Sequence, residues 1–331
     1  MKNIQIQTKK LDAPCDVQEL ASLTIKMWKF TRPELNPTVE RFGSWIKNLK
    51  YSVPPIIVKA YRGEILVGWV LLFVHDSKRL EINPWALGGH PHIVYDDPDK
   101  VKIAKLLLQE CKDYCIKNDY TRIEFCYEPK DTVQEYPIDP LLYPECGFQK
   151  IDEIVFMTRD LPEKEDENCQ LDLPEGIKTV LVKDTSDKDL YSCFYESFKK
   201  SGDRNVLSLS DEEKQEYFYS YYNRTDEMID EASIALVKGT KIIAFSFVRP
   251  THGEGNGTLN GIGVLPEYRR IHLGSRLLNH VILTLKTQGY KTMSLAVDIE
   301  NDVAMKLYEK HEFVKEWRRI MHVWKKEMEV Y

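Results

Sequence analysis

The sequence predicts a mixed α/β (α+β) chain of two tandem domains, each a mixed, mostly antiparallel, twisted sheet flanked by helices. Three observations carry that expectation. The length of 331 residues exceeds a usual single domain. Paired apolar runs around a tight turn occur in each half. A charged stretch with two prolines, "LPEKEDENCQLDLPEG", interrupts the periodicity between them and reads as a linker. The expected division is 1–160, a linker at 161–176, and 177–331.

In the first half, "PIIVKAYRGEILVGWVLLFV" (Pro55 to Val74) gives two strands around Arg62-Gly63. Lys102 to Lys117 follows as an amphipathic helix with Ile103, Leu106, Leu107, Cys111 and Cys115 on one stripe. "LLYPECGF" (Leu141 to Phe148) then precedes an alternating strand. The second half opens with a strand at Ile177–Val182 and helices over about 185–200 and 211–223. "ASIALVKGTKIIAFSFVRP" makes two strands around Gly239-Thr240. A strand near 257–265, a helix from Leu273 to Leu285 and a strand at Lys291–Val297 follow. A helix at Asn301–His311 and a strand at about 316–325 complete the unit. "KLYEKHEF" (Lys306 to Phe313) matches "LLYPECGF", so the chain reads as a duplicated unit.

Composition narrows the function. With 43% hydrophobic and 30% charged residues and no low-complexity tract, the chain is globular. A formal net charge of −6 argues against nucleic acid as a partner. The amino terminus lacks a signal-peptide core, and no run approaches the ~20 apolar residues of a membrane span. Seven scattered cysteines suit reduced thiols, so the cytoplasm is the expected location. No Cys/His spacing suggests a metal.

The stretch "VLPEYRRIHLGSRLL" (Val264 to Leu278) carries the chemistry. An apolar strand ends at Val264, Pro266 stops it, and the chain turns through Arg269–His272 into a helix. The first turn of a helix leaves N–H groups unpaired, with the positive end of the dipole behind them. Gly274 allows close approach, and Arg269 and Arg270 add charge. That is an anion nest, or else an ordinary strand-to-helix turn with two solvated arginines.

The arrangement V-x-P-x-Y-R-x-x-G-x-G resembles motif A of the GCN5-related N-acetyltransferase (GNAT) superfamily, on Val264, Pro266, Tyr268, Arg269, Gly274, Leu277 and Leu278. "NDVAMKLYEKHEF" is similar to its second motif, on Asn301, Ala304, Leu307, Tyr308 and Phe313. The resemblance implies acetyl-CoA (acyl-CoA) as co-substrate and a primary amine of a small molecule or peptide as acceptor. It implies a pyrophosphate on Arg269, Arg270, His272, Gly274 and Ser275. It also implies a pantetheine arm along the strand holding Ile262 and Val264, where the sheet splays. The same resemblance implies that Asn301 contacts that arm and that Tyr308 acts as general acid. Glu254 and Asp298 are candidate general bases, and no metal is implied. One silent and one active copy make a monomer plausible and a homodimer possible.

Two departures stand out: His272 replaces the first motif-A glycine and Glu312 the motif-B glycine. In the first half the corresponding stretch carries Asp96, Asp97 and Asp99 and no glycine, so that copy is expected to be degenerate. "INPWALGGHPH" (Ile82 to His92) is an unusual loop there. Two alternatives remain: a Fem-type aminoacyl-tRNA-dependent transferase, and a non-catalytic acyl-CoA-binding sensor or scaffold.

Overall fold

A computed structural model of the chain describes residues 3–11, 13–31, 38–48, 53–83, 91–94, 96–128, 142–161, 171–199, 211–223, 227–251 and 255–329. The first half contributes β1 (Ile4–Lys10), α1 (Ala13–Thr31), α2 (Val39–Asn48), β2 (Ile56–Arg62), β3 (Ile65–Val74) and β4 (Arg79–Ile82). It continues with β5 (His92–Ile93), α3 (Lys100–Lys117), β6 (Arg122–Tyr127), α4 (Leu142–Glu145) and β7 (Gln149–Asp160). The second half contributes β8 (Ile177–Leu181), α5 (Asp187–Phe198), α6 (Asp211–Tyr221), β9 (Ile234–Lys238), β10 (Lys241–Pro250) and β11 (Asn256–Val264). It ends with α7 (Leu273–Thr287), β12 (Thr292–Asp298), α8 (Asp302–Lys310) and β13 (Val314–Lys325).

Two compact units result, Met1–Ile151 with Arg319–Tyr331, and Asp152–Arg318. β7 is the last strand of the first half, yet its Ile154–Asp160 pair antiparallel with β12. β13 is the last strand of the second half, yet its Ile320–Lys325 pair antiparallel with β6. Each half therefore completes the other half's sheet. A division at residue 160 assigns 152–160 and 319–331 the other way. Alternating burial identifies a half-buried strand but does not say which sheet receives it. The ends of the expected linker are docked: Leu161 is buried and donates to the Lys291 carbonyl at 2.7 Å, and Leu171 and Leu173 pack on the second unit's core.

In the first unit the sheet runs β1-β2-β3-β4-β6-β13, with β5 also on β3. Its β4–β6 pair is parallel. Ile103, Leu107, Leu108, Cys111 and Cys115 of α3 join Val58, Val70, Leu72 and Ile123 in one core. Leu106 stays half-exposed and Leu108 takes the buried place. On a second core, Leu20, Trp28, Phe42 and Ile46 of α1 and α2 meet Ile57, Trp69 and Leu71. Lys59 fastens α1 to β2 through Asp16 and Glu19, both at 2.6 Å. Burial opposes its charge, but the two carboxylates outweigh that and raise its pKa.

His322 of β13 lies opposite Phe125 of β6 and stacks on it at 5.0 Å, with Tyr127 and Tyr143 around it. Burial pushes its pKa down from 6.5 to about 4, with a smaller contribution from Lys150.

In the second unit the order from β7 is β12-β11-β10-β9-β8, and the β11–β12 pair is parallel. Leu278, Val281, Ile282 and Leu285 of α7 pack with Val155, Met157, Leu259 and Leu295. A separate core, dominated by aromatics, joins Phe194 of α5 and Phe218 of α6 to Phe245 and Phe247 of β10. Gly263 is required there, since a Cβ would run into the Phe245 ring.

Two predictions follow from this packing. Gly263→Ala should destabilise the protein by about 1–3 kcal/mol through overpacking, read as a lower Tm. A depressed folded pKa means that His322 favours the folded state above pH 6.5 and opposes it as pH falls towards 4. Denaturant titrations should show part of the acid lability over that window vanish in His322→Phe; an unchanged pH dependence would contradict the assignment.

Candidate active site in the second unit

The site begins where two strands part. β11 and β12 pair from Asn256–Thr292 to Leu259–Leu295, and their ladder ends there. Side chains brace the paired part: Asn256 and Thr258 bond Ser294 at 3.2 and 3.0 Å, and Thr292 donates to Asn256 at 3.0 Å. At this point β11 also bulges against β10, because Phe247 faces Gly261 while Val248 faces Leu259, leaving Asn260 as the extra residue. A bulge bends a strand and increases its twist. Beyond it, Gly261–Val264 keep β10 on one side and, among the described residues, have no ladder partner on the other. Ile262 and Val264 lie on this open stretch, both half-buried.

From Val264 the chain passes through a short 3-10 turn at Pro266–Tyr268 into α7. Arg270 has φ 68° and His272, the residue before the helix, φ 61°. The position where motif A has glycine is thus left-handed, which explains the family's preference; histidine occupies it at a cost of about 1 kcal/mol. Glu312, at the motif-B glycine position, is left-handed too, with φ 63°. Its carboxylate accepts from Arg159 Nη2 at 2.9 Å.

The two loop arginines differ. Arg270 and His272 are exposed. Arg269 turns inward, Nε donating to the Val264 carbonyl at 3.2 Å and Nη2 to the Ser197 carbonyl at 2.7 Å. Burial lowers its pKa. Its guanidinium ties the loop to the end of β11 and of α5, so charge facing an anion comes from Arg270 and the helix start.

Gly274 lies in the first turn of α7. A Cβ there would meet only Val264 Cγ2 at 3.7 Å and Leu307 Cδ2 at 3.8 Å, which is ordinary contact. Neither packing nor a left-handed φ demands glycine, although glycine costs a helix about 1 kcal/mol relative to alanine. The chain's own packing therefore leaves the glycine unexplained. Ser275 Oγ lies 2.8 Å from His311 Nε2.

At the fork's other side, Asn301 caps α8, its Oδ1 accepting from the Ala304 N–H at 3.2 Å. Asp298, buried at the end of β12, accepts from the Glu300 N–H at 2.8 Å. Tyr308 is buried, with its ring edge-on to Phe313 at 5.8 Å. Burial, and secondarily Tyr221, push its pKa up. Glu254, the other candidate base, lies outside the described residues, as do 84–90 of the Trp85 loop.

The sequence marks the aromatic stretch Tyr217–Asn223 as a place for the acceptor pocket without naming a ligand in it, and it does not point to His311. Tyr221 shares a 2.8 Å hydroxyl contact with Tyr217, one helical turn away, and lies over Gly261. That i,i+4 tyrosine pair in "YFYSYYN" was the available signal, with Phe218 and Tyr222 taking the core side. For His311, adjacency to the motif-B helix end was the only hint.

The first unit repeats the frame with different side chains. β4 and β6 run parallel from Arg79–Arg122 to Glu81–Glu124, but the last pair is acidic, and burial together with Glu124 raises the pKa of Glu81. At the start of α3, Arg62 grips Asp97 at 2.7 and 2.8 Å and Asp99 at 2.9 Å. Those carboxylates stand at the helix start, whereas the second unit has Arg270 and His272 exposed there. Among the described residues there is no group of three or more potential metal ligands, and no helix is long and apolar enough to cross a membrane.

Gly274→Ala should leave Tm unchanged or slightly raised, unlike Gly263→Ala, when the two variants are melted side by side. A comparable fall would mean that packing, not clearance, selects the glycine.

Comparison with known proteins agrees with this geometry. The family model described as "Acetyltransferase (GNAT) family" matches residues 189–313. The ribosomal protein bS18-alanine N-acetyltransferase of Escherichia coli K12 is 38% identical over 74 residues, 22% of this chain and 49% of that protein. The chain thus spans about half the length of the curated relatives it matches. Among solved structures, a GCN5-related N-acetyltransferase from Sphaerobacter thermophilus aligns with TM-score 0.61 at 15% identity, covering 97% of this chain and 95% of that one. A tandem GNAT protein from the clavulanic acid biosynthesis pathway aligns with TM-score 0.52 at 14% identity, covering 97% and 98%. Residues 189–313 thus match the GNAT family model, and the chain as a whole has the fold of tandem GNAT proteins.

Proposed function

We propose that the second unit transfers an acetyl (acyl) group from acetyl-CoA to a primary amine of a small molecule or peptide, by direct attack in a ternary complex. The observation that carries this reading is the open edge of β11 beyond Leu259, leading straight to an exposed helix start. The residues fit the co-substrate. The start of α7, with Arg270 and His272 exposed and Gly274 uncluttered, suits a pyrophosphate. The unpaired edge of β11 suits an extended amide-bearing arm, as a further strand would. The alanine amine for which the Escherichia coli relative is named lies within the proposed acceptor class.

Acetyl-CoA supplies an activated thioester carbonyl. An N–H on the open edge of β11 polarises that carbonyl as the amine attacks its carbon. A C–N bond forms, the C–S bond breaks, and Tyr308 gives its phenolic proton to the leaving sulfur. Its raised pKa keeps that proton in place at neutral pH. The ammonium formed on the acceptor loses a proton to Asp298, at the fork end of β12, or to water. Arg269 and Asn301 hold the loop and the helix start in place through the bonds described above.

Calorimetry with acetyl-CoA and thiol release with a panel of amines test the reading. Binding and turnover are expected; no binding overturns it, and binding without turnover for any amine would favour a sensor. Tyr308→Phe should lower kcat by about a hundredfold or more while acetyl-CoA affinity changes little. An unchanged kcat would remove Tyr308 from the acid role.

A further inference from the structure

We infer that His311 sets the Ser275 hydroxyl as a donor to the anion held at the start of α7, making His311 a positioning residue for the co-substrate. The inference rests on the acetyl-CoA reading above and deepens it. Ser275 lies in the first turn of α7, beside Gly274, and its Oγ is 2.8 Å from His311 Nε2. His311 is 8% exposed and ends α8, the helix that carries Tyr308. Its place is held from three directions. Its N–H donates to the carbonyls of Leu307 at 3.2 Å and Tyr308 at 3.0 Å, and its own carbonyl accepts from Arg159 Nη1 at 2.6 Å. Arg159 is fixed in turn by Glu312, 2.9 Å away, at the left-handed position that follows. The backbone that carries the ring is thus fixed, and the ring's own contact is with the Ser275 hydroxyl.

The direction of the proton decides what Ser275 offers. Burial, followed by Arg159 and Lys310, lowers the pKa of His311, so the ring is neutral and carries one N–H. With that proton on Nε2, the ring donates to Ser275 Oγ, and the serine proton is left for a phosphate oxygen. With it on Nδ1, Ser275 spends its proton on the ring and turns only lone pairs towards an anion. An anion at the helix start therefore selects the Nε2–H form, and His311 orients the hydroxyl without touching the co-substrate. A purely structural pair, stitching α7 to α8, would show the same distance but different behaviour on substitution.

The test is equilibrium binding of acetyl-CoA to the full chain for wild type, Ser275→Ala, His311→Leu, His311→Gln and the double variant Ser275→Ala/His311→Leu, with steady-state kinetics beside it. Ser275→Ala and His311→Leu should each weaken binding about tenfold, the loss of one hydrogen bond to a charged group. The loss should appear in KM much more than in kcat. His311→Gln, whose amide N–H2 can donate to Ser275, should recover most of it. The double variant should be no weaker than Ser275→Ala alone. Additive losses, no rescue by glutamine, or unchanged binding would overturn the inference while leaving the acetyl-CoA reading standing. Failure of the wild type to bind acetyl-CoA would overturn both. Should His311→Leu not fold, Ser275→Ala alone decides: undiminished affinity refutes the donor role.

Discussion

The parallel pairing of β11 and β12 stops at Leu259 and Leu295, and the functional geometry follows from that limit. Up to the fork, Asn256, Thr258, Thr292 and Ser294 lock the strands together through their side chains. At the fork the extra residue Asn260 bends β11. Past it, one edge of β11 has no ladder partner among the described residues, a state that proteins generally avoid. The surrounding chain holds that state open. Arg269 pins the strand's end to α5, Gly261 and Gly263 let the aromatic layer sit close to the strand, and Asn301 starts the helix that carries Tyr308. An extended ligand laid along the edge would satisfy what the sheet leaves unmet.

Much of this frame was legible in the sequence, for reasons that lie in individual residues. Alternation and 3.6-residue periodicity located the strands and helices of the second half to within a few residues. The spacing from Val264 to Gly274 marked a strand end and a helix start, and both stand where it put them. Even the departures were informative, because His272 and Glu312 occupy left-handed backbone that glycine would take without cost. What the sequence hid are relations across long separations. Arg269 finds its partner at Ser197, 72 residues away, and so ceases to be a free charge. Ser275 meets His311 across 36 residues. The destination of β7 and β13 is hidden for the same reason, since a strand's own pattern is indifferent to its neighbour.

The two units show how one frame separates into two chemistries through few side chains. Each has a parallel strand pair whose two strands are joined through a long helix. In the second, the last paired residues are Leu259 and Leu295, and the helix start is exposed. In the first, Glu81 and Glu124 end the pair, and Asp97 and Asp99 occupy the helix start with Arg62 as counter-ion. An incoming phosphate would have to displace that internal ion pairing and then face the released carboxylates. The frame persists because the core residues that build it, such as Ile103, Leu107 and Ile123, are independent of the loop.

The exchange of terminal strands has a temporal side. The outer edge of β6 stays open until residues 320–325 arrive, roughly two hundred residues downstream, so the first unit closes late and through contacts of high sequence separation. On a ribosome, the amino-terminal half would emerge with an unsatisfied sheet edge, which is the kind of surface that pairs promiscuously. Its release from that exposure waits on the last strand of the half that carries the site. Synthesis of the second half and completion of the first unit's sheet are, in this chain, one event.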